Sequence, residues 1–98
     1  MITIEEFLKF KDQGLVPEDI PALLQSHLLD ASGDWDAAHR ISQGDTSTDS
    51  SWVHAYLHRK EGDLGNASYW YRNAGRSLPD ISLEEEWEYI AMDLLKKS

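Results

Sequence analysis

Apolar residues recur along this chain at helical rather than strand spacing. No run of alternating β-branched residues occurs, and the Gly and Pro breakers fall at helix-length intervals. The pattern predicts an all-α protein of about six helices. Thr3 with Glu6 forms a capping-box pattern that opens a first helix, with Ile4, Phe7 and Leu8 on one face and Gly14 as its stop. A second helix is expected to start between Pro17 and Asp19, with Pro21 in its first turn, and to present Ile20, Leu24, Leu28 and Ala31 before Gly33 ends it. Asp34 caps a third, from Trp35 to about Gln43, and Gly44 to Ser50 reads as a polar, mobile loop. A fourth helix is expected over Ser51 to Glu61, ending at Gly62. Asp63 caps a fifth, from Leu64 to about Arg76, and Pro79 closes that unit. Ser82 with Glu85 makes another capping box for a sixth helix over 82–97, whose stripe Leu83, Trp87, Ile90 and Leu94 marks a buried face. Glu84, Glu85 and Glu88 point to water and make this charge run a solvated face, and Glu84 to Glu86 suit the positive end of the helix dipole, with Lys96 and Lys97 at the negative end.

Ninety-eight residues at 41% hydrophobic suit a single all-helical domain, 1–98, with candidate hairpins at 18–43 and 51–78. There is no Cys, which excludes disulfides, thiolate metal ligands and a cysteine nucleophile. The N-terminal residues lack a basic stretch followed by a long apolar run, and no segment approaches the roughly 18 apolar residues of a membrane span. A soluble, cytoplasmic protein without membrane contact is the expectation. The net charge of −9 is unevenly spread: residues 49–80 carry four positive and four negative side chains, between two acidic flanks. Such a chain repels phosphate backbones, so general nucleic-acid binding is not expected.

One motif repeats. Gly33-Asp34-Trp35 with Ala38 recurs 29 residues later as Gly62-Asp63-Leu64 with Ala67. Gly permits the left-handed end of one helix, Asp caps the next, and the small Ala lets two antiparallel helices approach, so two αα-hairpins are expected. Gly62-Asp63, Ala67, Tyr71, Ala74 and Pro79 resemble the second half of a tetratricopeptide repeat, and Ala55 matches the small residue of its first helix. That resemblance implies tetratricopeptide-like (TPR-like) antiparallel hairpins with flanking N- and C-terminal helices, and a role in binding a protein or peptide. The stretch from Trp52 to Gly75 also resembles an uncharacterised family of bacterial and fungal proteins, from which no activity follows.

The same stretch concentrates the candidate chemistry. Trp52, Tyr56 and Arg59 share a helix face, with Lys60 beside them, where the resemblance places a concave groove. Aromatic area beside a guanidinium suits a peptide carboxylate or an acidic motif. Tyr69, Trp70 and Tyr71 cannot all face inward; with Tyr71 in the core, Trp70 is expected to border a common surface with Asn66 and Arg59, Arg72 and Arg76 nearby, for packing against the sixth helix, a partner or a homodimer contact. His54 and His58 are four apart, and Glu61 continues their stripe: a metal triad suited to zinc, nickel or iron, with His39 or Asp63 as further ligands. The competing reading makes them buried histidines, hydrogen-bonded across the hairpin at positions the repeat fills with apolar side chains. No catalytic motif appears, so neither an enzyme nor a cofactor is expected. The leading expectation is a small TPR-like protein or peptide-interaction module. The alternative is a small-ligand or metal-binding protein using the His54, His58 and Glu61 face.

Overall fold

The computed structural model describes residues 2–98. Six helices account for the regular structure: α1 (Ile4–Gln13), α2 (Ala22–Ala31), α3 (Trp35–Gln43), α4 (Thr48–Glu61), α5 (Leu64–Asn73) and α6 (Leu83–Lys97). There is no strand among the described residues, as the apolar spacing predicts.

Local chemistry sets the helix ends. Both capping boxes form: Thr3 accepts from the Glu6 N–H and Ser82 from the Glu85 N–H, with each Glu answering the cap's own N–H. The repeated Gly-Asp motif folds the same way twice. Gly33 and Gly62 take positive φ of 97° and 90°. The following Asp34 and Asp63 N–H groups then reach back to the Leu29 and His58 carbonyls, at 2.9 Å in each case. Each Asp side chain then caps the next helix, accepting from Ala37 or Asn66 N–H. Links this short make α2–α3 and α4–α5 antiparallel pairs. Ala38 and Ala67 are fully buried, and Ser26 Oγ donates to the Ala38 carbonyl at 2.8 Å, which shows how closely α2 and α3 approach.

Three boundaries differ from the sequence reading. α2 starts at Ala22, not between Pro17 and Asp19, because the residue preceding a proline is pushed out of the helical region; Pro21 stays extended at ψ 148° and serves as the cap. α4 starts at Thr48, absorbing the last three residues of the expected loop. Ser47 accepts from the Ser50 N–H, and the buried Ser50 Oγ donates back to the Ser42 carbonyl, so this serine-rich run is a helix start. α5 ends at Asn73 rather than Arg76, because Gly75 turns left-handed at φ 72°.

α4 is the central element, packing against α2, α3, α5 and α6. Every residue from Ser50 to His58 is buried. Around it Phe7, Leu24, Leu28, Val53, Leu57, Tyr71, Trp87 and Ile90 form a continuous core. The expected α6 stripe packs here, with Trp87, Ile90 and Leu94 buried and Leu83 half-buried. Glu84, Glu85 and Glu88 are exposed as predicted.

Glu86 is not part of a solvated face. It is 2% exposed and accepts from Arg59 Nη1 at 2.8 Å, Tyr71 OH at 2.6 Å and Trp52 Nε1 at 3.2 Å. Its position explains this: Glu86 is three residues after Leu83 and four before Ile90, on the same stripe. Arg59 also donates to the Ile81 carbonyl, tying down the connection before α6. Glu86→Ala is expected to lower unfolding stability by roughly 3–5 kcal/mol, because a guanidinium is left buried and unpaired. Urea denaturation of Glu86→Ala, Arg59→Ala and the double variant checks this. The double variant should lose clearly less than the two single losses combined, and strict additivity would rule the coupling out.

Candidate functional site

Three helices contribute to one cluster of imidazoles. Trp35 and His39 lie four apart on α3, His54 and His58 four apart on α4, and Trp70 projects from α5. The hairpin turns bring these faces together. His39 Nε2 and His54 Nε2 are 3.0 Å apart, and one coordinating nitrogen from each of His39, His54 and His58 lies within 4.8 Å of the others. The ring centroids are 4.6 Å (His39–His54), 4.8 Å (His54–His58) and 5.2 Å (His39–His58) apart. Two indoles wall the cluster: Trp70 stacks on His54 at 4.0 Å and Trp35 on His39 at 4.8 Å. Trp35 is held in turn by donating from Nε1 to the Leu57 carbonyl at 2.9 Å.

Protonation follows from this packing. Two imidazole nitrogens at 3.0 Å share one proton, so one ring donates and the other accepts. Burial and the neighbouring rings push His54 down to about 4, and burial, then His58, lowers His39 as well. Both are neutral near pH 7, the state in which imidazole binds a metal. His58 Nδ1 bonds Glu61 Oε2 at 2.7 Å. A carboxylate on Nδ1 holds the proton there and leaves the Nε2 lone pair free, the arrangement that orients metal-ligating histidines. His58, Glu61 and Asp63 also place one potential ligand atom each within 4.8 Å of one another, so His58 belongs to two groups.

The sequence-predicted residues divide accordingly. His54 and His58 meet, but their third partner is His39, and Glu61 stands behind His58. Trp35 and His39 belong to the other hairpin, so spacing along the chain does not join them to His54 and His58; their own four-residue spacing is the only local signal. Trp52 and Tyr56 are buried, and Arg59 is engaged by Glu86. The acidic group this face receives is therefore the chain's own. Lys60 is exposed and pairs with the buried Asp30 at 3.0 Å; Arg72 is exposed; Trp70 is half-buried against His54. Trp70 and Arg59 do not share a surface, since the histidines and the Trp52–Arg59 row occupy opposite sides of α4.

A fourth histidine has a different role. His27 is fully buried, stacks on Trp87 at 4.3 Å and bonds the Trp87 carbonyl through Nε2 at 2.8 Å, while Trp87 Nε1 donates to the His27 carbonyl. Burial drives its pKa down from 6.5 to about 3. Between those values the unfolded chain binds a proton that the folded chain refuses, so the stabilisation is complete above about pH 6.5 and is lost as pH falls. His54 acts in the same direction; Asp30, raised by burial, acts oppositely. Urea titrations at about pH 7, 6 and 5 should show a stability slope that becomes shallower in His27→Gln, by up to about 1.4 kcal/mol per pH unit. An unchanged slope would exclude His27 as the source.

No helix among the described residues is long and apolar enough to cross a membrane. Comparison with protein-family models, curated proteins and solved structures finds no match to this chain.

Proposed function

We propose that the chain binds a divalent late transition-metal ion through His39, His54 and His58. The convergence of three imidazole nitrogens within 4.8 Å is the observation that carries this reading. Tetrahedral coordination at about 2.0–2.1 Å needs nitrogens about 3.4 Å apart. His39 and His54 are already closer than that, so the ion takes the place of their shared proton, which moves to Nδ1 of the ring that held it, and His58 moves inward by a side-chain adjustment. Neutral imidazole donors suit zinc, nickel or copper over calcium or magnesium. Three protein ligands leave one coordination position for water or a small anion.

Isothermal titration of the full chain with zinc, nickel and copper is expected to give one ion per chain. His54→Ala and His58→Ala should each weaken binding at least tenfold. Glu61→Gln should weaken it by about 10-fold, the scale of an orienting partner. Saturating zinc at 100 times its Kd should add about 2.7 kcal/mol to the unfolding free energy. Absence of heat, together with unmoved His39, His54 and His58 imidazole resonances, would exclude the site.

A second reading is favoured by the two antiparallel pairs α2–α3 and α4–α5, packed in succession through α3 and α4. We infer from it a TPR-like interaction module. Its inner face on α4 is covered by α6, which leaves Lys60, Trp70 and Arg72 as the predicted partner residues still at the surface. Pull-down with a folded Lys60→Ala/Arg72→Ala variant should recover fewer partners than the wild type; identical recovery counts against this surface.

A further inference from the structure

A cleft lies on the opposite side of α4 from the histidines. It encloses about 590 Å³ between Trp52 on α4, the α5–α6 connection and the outer face of α6, with Arg76, Tyr89, Met92 and Lys96 among its walls. Its charged groups differ in availability. Glu86 at the floor is already satisfied by Arg59, Tyr71 and Trp52, and Asp93 accepts from Lys97 at 2.9 Å. Arg76 and Lys96, by contrast, make no side-chain hydrogen bond or ion pair among the described residues.

Arg76 is nevertheless held in place. Its guanidinium carbon lies 3.3 Å from the centroid of a Trp52 ring. The backbone fixes its base: Gly75, at φ 72°, donates to the Arg72 carbonyl at 2.9 Å, and the Arg76 N–H donates to the Tyr71 carbonyl at 2.8 Å. A guanidinium resting its face on an indole keeps its N–H edges free, and those edges match a carboxylate in a fork of two bonds. Apolar surface stands nearby, since Tyr89 is 54% and Met92 45% exposed.

We propose that this cleft binds an organic carboxylate attached to an apolar or aromatic group. The carboxylate sits on Arg76 with Lys96 as the second cation, and the apolar body rests against Tyr89 and Met92. Charge selects this ligand over a cation, because each carboxylate of the cleft already has a cationic partner, Glu86 in Arg59 and Asp93 in the Lys97 it shares with Asp49, while Arg76 and Lys96 have no anionic partner among the described residues. The acidic-motif chemistry that the sequence attaches to Arg59 passes to Arg76, since Glu86 consumes Arg59. A free aromatic acid and the C-terminal carboxylate of a peptide share this chemistry.

The test is a titration of the isotope-labelled full chain, following Trp52 Nε1–H and Arg76 Nε–H by NMR. The probes are 3-phenylpropionate, its primary amide, and the tripeptide Gly-Gly-Phe with a free or an amidated C-terminus. At least one free carboxylate should give saturable shifts, with its amide at least tenfold weaker. Arg76→Gln should weaken binding tenfold or more and Lys96→Gln by a smaller factor. Comparable binding of acid and peptide assigns a small-acid site, and a response to the peptide alone assigns a C-terminal carboxylate. Equal binding of acid and amide, an affinity unchanged by Arg76→Gln, or no shift with any probe overturns the proposal. Arg76 is exposed and, apart from its contact with Trp52, its side chain makes no hydrogen bond or ion pair among the described residues, so the variant should fold, and unmoved imidazole resonances check that it has.

Discussion

The Arg59–Glu86 pair is the constraint around which the rest is arranged. Charges removed from water are tolerated only when attraction and hydrogen bonds replace hydration, and here both are present. One Glu86 oxygen takes Arg59 at 2.8 Å, and the other takes Tyr71 and Trp52. The carboxylate thus joins α4, α5 and α6 at a single point. A well-packed apolar replacement can equal such a pair in stability. What the pair contributes is register: α6 has one rotation and one height at which Glu86 meets all three donors, whereas an apolar stripe alone tolerates neighbouring settings.

That demand falls on α4, which is buried on every side yet is not apolar on every side. A helix surrounded by protein is ordinarily hydrophobic all round. α4 instead carries Trp52, Tyr56 and Arg59 on one side and His54 and His58 on the other, each polar group answered by a neighbour. Arg59 has Glu86, His54 has His39, and His58 has Glu61. The two candidate sites share this helix as a common wall. Because α4 is clamped by four others, the imidazoles and the Trp52 platform are positioned by packing before any ligand arrives, which reduces the ordering cost of binding.

The buried histidines follow the same logic with a different outcome. His27 satisfies one nitrogen on the Trp87 carbonyl and leaves Nδ1 without a partner among the described residues, deep in the core. An unpartnered nitrogen in an apolar setting favours the neutral ring. His54 is neutral for a related reason but sits in a cluster, where rings that cannot all hold a proton present lone pairs to one another. One histidine is a packing element, and the other belongs to a group of donors.

Sequence by itself determined the local structure. Six helices, the Thr3 and Ser82 capping boxes, the repeated Gly-Asp turn and the α6 stripe depend on interactions within a few residues. Periodicity and capping chemistry therefore expose them. One boundary turns on the same local chemistry: Ile20, preceding Pro21, stays out of the helix, so α2 begins at Ala22. Tertiary structure alone decided which polar residues are available. Arg59 and Arg76 are equally basic in the sequence, and only the packing of α6 shows that one is consumed by Glu86 while the other lies free on Trp52. His39 and Glu86 were undervalued for the same reason: their partners are 15 and 27 residues away, across hairpins whose register is set by side-chain packing.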